Sequence, residues 1–249
     1  MTNEEQNIYW HKFHRFQQRY EKMYTKPVQR AIQTQIKQYT DTGTLMAVTI
    51  EPIATVLQQL YRQVAPLWAA SGTVAIRQLK ARMPMGFSAR IVELMQQYYG
   101  IDLLNLSQDI TDTTKSQIET VLALAARDGF GFDEIVARLE APELTAARAR
   151  LIARTEVVAA ANAASNIAAK ETGLVMDKQW IAARDNRVRR HHRTVDNQIV
   201  GMDDTFTVGN SQMQFPGDKA GGVAEVANCR CTHAFIPKRD SNGRLVRKG

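Results

Sequence analysis

Cysteine is scarce in this chain: there are two in 249 residues, Cys229 and Cys231, two positions apart. A pair that close is no disulfide framework, and the thiols are expected to be reduced. Long apolar runs are also missing. No stretch approaches the roughly 20 residues of a membrane-crossing helix, so no span is expected. The opening residues, Met1-Thr2-Asn3-Glu4-Glu5-Gln6, lack a basic segment leading into an apolar one. No secretory signal is therefore expected, and the protein should work in the compartment where it is made. Three catalytic signatures are absent as well: a phosphate-cradling P-loop, the zinc-protease His-Glu-x-x-His helix, and a Gly-x-Ser-x-Gly elbow.

What remains is ordinary in bulk, with 44% hydrophobic and 23% charged residues. A chain of this length buries one large core or two smaller ones. The charge is uneven. Residues 174–249 carry 13 Lys/Arg against 8 Asp/Glu, which is +5 of the total of +7. A basic C-terminal module suits nucleic acid or an acidic protein surface, and equally a solvated face.

The first two thirds read as helices. Tyr9, Trp10, Phe13, Phe16, Tyr20 and Met23 recur near helical spacing within residues 4–38, either as a packing face or as a docking helix. Pro27 predicts a break. His11 and His14 share a helix face but have no third ligand nearby. Thr49 offers an N-cap for a helix running to Ala70, and Ser71-Gly72 punctuates. Further helices are expected over Val74–Arg82, after the Met83–Gly86 connector, and over 88–99 up to Gly100. Ile118, Val121, Leu122 and Ala125 mark an amphipathic helix that ends at Gly129. Phe132–Leu139 is short, and Ala141-Pro142 ends it. Thr145 caps an alanine-rich helix over 146–171. Within that helix Arg154-Thr155-Glu156 is either solvated charge or a partly buried pair beneath the C-terminal module.

After Gly173 the pattern changes to short strand candidates, Val175–Ile181, Gln198–Met202, Thr205–Val208 and Thr232–Ile236, separated by turn residues. A helical segment is expected near Arg187–Thr194. The expectation is an α+β protein: a helical N-terminal part followed by a small antiparallel-sheet C-terminal module. The boundaries expected are 1–105, 106–173, 174–237 and a basic tail, 238–249, disordered unless a partner orders it.

The chemistry-bearing residues lie in that module. Cys229 and Cys231 would share a strand face with His233, and His192 could join them as a zinc-binding set. The spacing departs from the usual Cys-x-x-Cys, and a pair of small buried thiols reads equally well. His192 as general base, with Asp185 nearby and Arg187 or Arg189 steadying a phosphate, would make a nuclease-type site. The preferred alternative is a structural network among Arg154, Glu156, Asp185, Arg187, Arg189 and Asp196, because no complete set of acid, base and charge stabiliser is present. Arginines within 184–193 and the tail could also touch DNA phosphates without reading sequence.

A broader pattern runs through these residues: Ile152-Ala153-Arg154-Thr155-Glu156, Asn162, Trp180, Asp185-x-Arg187-Val188-Arg189-x-x-His192, Asp196, Phe206, Pro216-Gly217-Asp218 and Asn228-Cys229-Arg230-Cys231. In order and spacing it resembles the phage Mu F-like minor head proteins, the phage head morphogenesis family, from about residue 106 to 236. Asn197 stands where that family usually has glycine, and asparagine tolerates the left-handed backbone such a turn needs. The resemblance implies a non-enzymatic minor structural protein of a tailed bacteriophage virion, portal-proximal or inside the capsid and made in the host cytoplasm. It would associate with the portal protein and other head proteins, act in head assembly, and could contact packaged DNA. A nuclease-type hydrolase and a free sequence-independent DNA-binding protein are the alternatives.

Overall fold

The computed structural model describes residues 1–72 and 86–248. The helix expected over Val74–Arg82 lies outside the described residues. The elements run α1 (Asn3–Thr42), α2 (Glu51–Gly72), α3 (Phe87–Asp128), α4 (Phe132–Glu140), α5 (Pro142–Glu171), β1 (Met176–Ile181), α6 (Arg190–Thr194), β2 (Ile199–Gly201), β3 (Phe206–Val208), β4 (Ser211–Met213), α7 (Gly222–Val226) and β5 (Thr232–Pro237). The α+β expectation holds: long helices come first, then a small antiparallel-sheet module.

Two helices run through expected stops. Pro27 lies inside α1. A proline in mid-helix costs about 3 kcal/mol through its missing N–H and ring clash. Tyr24, Val28 and Ile32, around it on the same helix, are buried at 6%, 0% and 0% exposure. Burying side chains of this size is worth about 1.5–3 kcal/mol each, which outweighs the proline. Likewise Gly100 does not end its helix; it lies inside the 42-residue α3. A mid-helix glycine costs only about 1 kcal/mol. Buried Ile91, Met95, Tyr99 and Leu103 carry one apolar stripe straight across it. Pro142 starts α5 rather than only ending α4, as suits a residue whose absent N–H has no partner in a first turn.

The chain forms two compact units that are discontinuous in sequence. One comprises Met1–Tyr20, Tyr61–Gln97 and Arg154–Gly249, the other Glu21–Leu60 and Tyr98–Ala153. The sequential boundary expected at 105–106 therefore falls inside α3. The second unit is a helical body with a buried polar strut. Gln35 donates from Nε2 to Thr49 O (2.8 Å) and Thr111 Oγ1 (2.7 Å), and accepts from Thr114 Oγ1 (3.0 Å). Arg148 adds bonds to Ile110 O (2.5 Å) and Thr114 Oγ1 (3.0 Å). Polar groups at these depths are tolerated only when satisfied, which these are.

The first unit holds the C-terminal module. Its aromatic stripe is a packing face. Tyr9, Phe13 and Phe16 surround Trp68 of α2 at ring-centroid distances of 5.9, 5.0 and 5.0 Å. Met23 falls off that face, 42% exposed. His14 stacks on Trp10 (4.7 Å) and its Nδ1 lies 3.0 Å from Gln17 Oε1. The three-stranded antiparallel sheet has the order β2-β1-β5, and β3–β4 make a separate hairpin. β4 was not legible; its three residues, Ser-Gln-Met, carry no strand pattern. One sheet face meets α5, where Thr232 Oγ1 donates to Asn162 Oδ1 (2.9 Å). The other meets the hairpin, where Trp180 packs edge-on to Phe206 (5.2 Å). The alanines of α5, among them Ala159, Ala160, Ala161, Ala163 and Ala164, are 0–1% exposed. Their small side chains let loops approach the helix closely.

Gly217 shows how closely. At φ +90°, its position would place a Cβ 3.0 Å from Ala159 Cα and 3.2 Å from Ala159 N. Gly217→Ala combines left-handed strain with a clash against backbone that cannot swing away. A loss of about 2–3 kcal/mol is expected by thermal or urea unfolding.

The tail is ordered against the chain itself. Val175 N donates to Val246 O (2.9 Å) and Lys248 N to Gly173 O (2.8 Å). Leu245 packs on the cluster of Ala169, Leu174, Met176, Met202 and Phe235. Composition pointed to disorder, but one leucine and a few backbone bonds suffice to return the segment to the sheet.

Candidate functional site

The site sits where three pieces of the module meet: the loop and helix α6 at 184–194, helix α7, and the turn leading into β5. Asn228 makes that turn with φ +61°. Its N–H donates to Thr155 Oγ1 (2.9 Å), and its Oδ1 accepts from Arg154 Nη1 (2.6 Å). This fixes Cys229-Arg230-Cys231 onto α5. Asn162 completes the seam, donating from Nδ2 to Pro216 O (2.8 Å) and Cys231 O (3.1 Å).

Both cysteines are free and buried. Cys231 N–H donates to Cys229 Sγ (3.4 Å) and Ala183 N–H to Cys231 Sγ (3.4 Å). His192, 1% exposed, lies with Nδ1 3.4 Å from Cys231 Sγ and 3.6 Å from Cys229 Sγ. Its Nε2 is 2.9 Å from Glu225 Oε2, and the other oxygen of that carboxylate is 2.9 Å from His191 Nδ1. Trp180 packs edge-on against the His192 ring (5.6 Å). Cys229 is drawn well below the usual thiol range, first by the Cys231 hydrogen bond and then, against burial, by His192. Burial, with the neighbouring Cys229, pushes Cys231 well above that range. Burial opposes charge on His192, but the Cys229 contact and Glu225 raise its pKa overall. Negative charge is thus favoured on Cys229 over Cys231.

His233 does not join them. β5 begins only at Thr232, so the two cysteines lie outside the strand and the same-face argument lapses. The His233 ring instead lies between Phe215 (6.2 Å) and Phe235 (4.9 Å), wholly buried. Burial holds its pKa well below normal, so it is neutral.

The charged network exists with different pairings from those expected. Asp185 takes a bidentate pair from Arg230, at 2.7 Å from Nε and 3.0 Å from Nη2, while Arg187 approaches it only at 3.9 Å and is 62% exposed. Asp196 accepts from Arg184 Nη1 (2.5 Å) and Ala182 N (2.8 Å). Arg189 spends its guanidinium on the carbonyls of Glu225 and Ala227 at the end of α7. Glu156 is buried and accepts from Tyr61 OH (2.7 Å), while Arg154 goes to Asn228 Oδ1 (2.6 Å). Asn197 takes φ +70°, as expected of asparagine in a glycine position. Arg230, Glu225, Tyr61 and Trp10 were given no role in the site from sequence. Trp10 Nε1 donates to Arg230 O (3.1 Å), which ties the first helix to the cysteine turn. The one available hint was Arg230 itself, a charge enclosed by two buried thiols.

Lys178 was also missed. It is fully buried, donates to Gln214 Oε1 (2.7 Å) and lies 5.5 Å from the Phe206 ring centroid. Burial, with help from Lys170, pushes its pKa down to about 8. An unfolded lysine titrates near 10.4, so between about pH 8 and 10.4 the folded chain binds fewer protons, and this group's contribution to stability rises with pH. Lys178→Met should therefore be more stable than the parent by about 1–3 kcal/mol at pH 7, with the advantage gone by about pH 10. Urea unfolding at a series of pH values reads this directly.

As a catalytic centre the cluster is closed. His192, Cys229 and Cys231 are each at most 2% exposed, and both ring nitrogens of His192 are engaged. The pieces of a nuclease reading thus separate into a buried histidine, a surface Arg187, and an Arg189 committed to backbone. No helix among the described residues is long and apolar enough to cross a membrane.

Residues 116–234 match the family model for Phage Mu protein F like protein. The chain is 30% identical over 164 residues to Minor head protein GP7 of Bacillus phage SPP1, covering 61% of this chain and 52% of that one. It is 32% identical over 123 residues to the uncharacterized protein YqbB of Bacillus subtilis, 47% of this chain and 40% of that one. A shorter match, 40% over 65 residues, is to NAD(+)--arginine ADP-ribosyltransferase EFV of Enterococcus faecalis, covering 26% of this chain and 13% of that protein. The chain thus spans about half or less of the curated relatives it matches. No solved structure matches it. The matched segment includes Asn162, Asp185, His192 and the Cys-Arg-Cys turn, and over these residues the chain is similar to the phage Mu F-like proteins.

Proposed function

We propose that the protein is a minor structural head protein of a tailed bacteriophage, acting in capsid assembly beside the portal. The observation that carries this reading is the 30% identity to Minor head protein GP7 across 61% of the chain. The site supports it. Its polar side chains are spent on one another and on backbone carbonyls, which is what a rigid assembly part needs and a catalyst does not. The portal protein and other head proteins are the partners, reached in the host cytoplasm during assembly and retained in the virion. Exposed Arg187, Arg190 and Arg193 form a basic edge suited to non-specific contact with packaged DNA phosphates.

The test is made on particles. Virions from a phage or prophage carrying this gene, purified by density gradient, should contain the protein in salt-resistant association with heads. Deletion of the gene should reduce infectious particles. Particles without the protein, formed in normal yield after deletion, would refute the proposal.

A further inference from the structure

We propose that His192, Cys229 and Cys231 form a zinc site, with His192 binding through Nδ1 and Glu225 as its orienting partner. This goes beyond the head-protein reading and does not depend on it. One ring nitrogen and two sulfurs lie within 4.8 Å of one another, all buried. Donors arranged tetrahedrally about zinc, at about 2.0–2.3 Å from the ion, stand roughly 3.5 Å apart. His192 Nδ1 is 3.4 and 3.6 Å from the two sulfurs.

The surroundings are those of metal-bound thiolates. Each sulfur accepts a backbone N–H, Cys229 from Cys231 and Cys231 from Ala183, both at 3.4 Å. The carboxylate of Glu225 on Nε2 (2.9 Å) fixes the ring and turns Nδ1 toward the sulfurs. Carboxylate–histidine–metal chains of this kind are the usual support of a zinc-bound imidazole. Two soft sulfurs and one imidazole select zinc over oxygen-seeking magnesium or calcium. With three donors among the described residues, the fourth position falls to water or another exogenous ligand. A nucleophilic role for either thiol is set aside, since exposures of 2% and 1% leave no path for a substrate.

Full-length protein purified under reducing conditions, incubated with Zn²⁺ and desalted, should retain about one zinc per chain by elemental analysis. Cys229→Ser/Cys231→Ser should lose it. Because that variant could fail to fold, Glu225→Gln provides the second arm. It keeps all three donors, and chelator competition should show about 10–100-fold weaker binding with an unchanged circular dichroism spectrum. Co²⁺ in place of zinc should give near-ultraviolet sulfur-to-cobalt charge-transfer bands that diminish in Cys231→Ser. Folded protein that retains no zinc overturns the proposal. So does retention unaffected by the double serine change, or a Cys229–Cys231 disulfide in protein kept under reductant.

Discussion

Asn162→Ala is expected to destabilise the unit containing the C-terminal module by about 3–5 kcal/mol. Asn162 is fully buried and its side-chain bonds go to parts of the chain distant in sequence. It donates to the carbonyls of Pro216 (2.8 Å) and Cys231 (3.1 Å) and accepts from the Thr232 hydroxyl (2.9 Å). Alanine would strand two buried carbonyls and one hydroxyl, each costing about 1–3 kcal/mol. Asn162→Asp separates hydrogen bonding from shape. It keeps the acceptor for Thr232 but loses both donated bonds and adds a buried charge, so it should be at least as damaging. Urea unfolding with tryptophan fluorescence measures both, and Trp180 on the adjoining strand serves as the reporter.

Asp185→Ala is expected to cost about 2–4 kcal/mol. Its partner Arg230 is 4% exposed, while Asp185 itself is 21% exposed. Removing the carboxylate leaves a buried guanidinium whose remaining partner among the described residues is the Asn228 carbonyl at 2.9 Å. An unpaired buried charge is the severe case, which is why the single change should hurt more than replacing both partners. Arg230→Met/Asp185→Ala should recover part of the loss. The pair also predicts an acid limb. Arg230 holds the Asp185 carboxyl below its ordinary value, so its stabilisation is present above pH ~4 and fades as pH falls through the folded-state pKa. Asp185→Asn lacks that component, and the difference between the two proteins should vanish at low pH.

Long periodic features were legible in the sequence. The helix around Ile118–Ala125, the short α4, the alanine helix and four strands within a residue or two of their bounds all follow from spacing and turn residues. Pro27 and Gly100 misled because a local penalty of about 1–3 kcal/mol is small beside a continuous buried stripe. β4 is too short and polar to announce itself. The residue types of the site were readable and their partners were not. Arg189, expected on a carboxylate, ends on the carbonyls of α7, and Asp185 takes Arg230 rather than Arg187. Pairing of charges is set by three-dimensional proximity, which a turn such as Asn228 at φ +61° decides. His233 was assigned to the cysteines on strand alternation, and alternation fails because the strand starts after them. Glu225, the anchor of His192, stood in a glycine-rich loop with no pattern around it.

Under the proposed function, this region serves head assembly as a rigid folded part, with its polar cluster spent on structure. Complementation of a gene-deleted phage with a small variant series tests that most directly. Asn162→Ala and Asp185→Ala should lower infectious particle yield in proportion to their measured loss of stability, while Arg187→Ala, which alters a side chain 62% exposed, should yield particles at the parental level. A fully folded Arg187→Ala or Arg187→Ala/Arg189→Lys protein that supports no particles, or that abolishes a DNA-cleaving activity present in the parent, would contradict it.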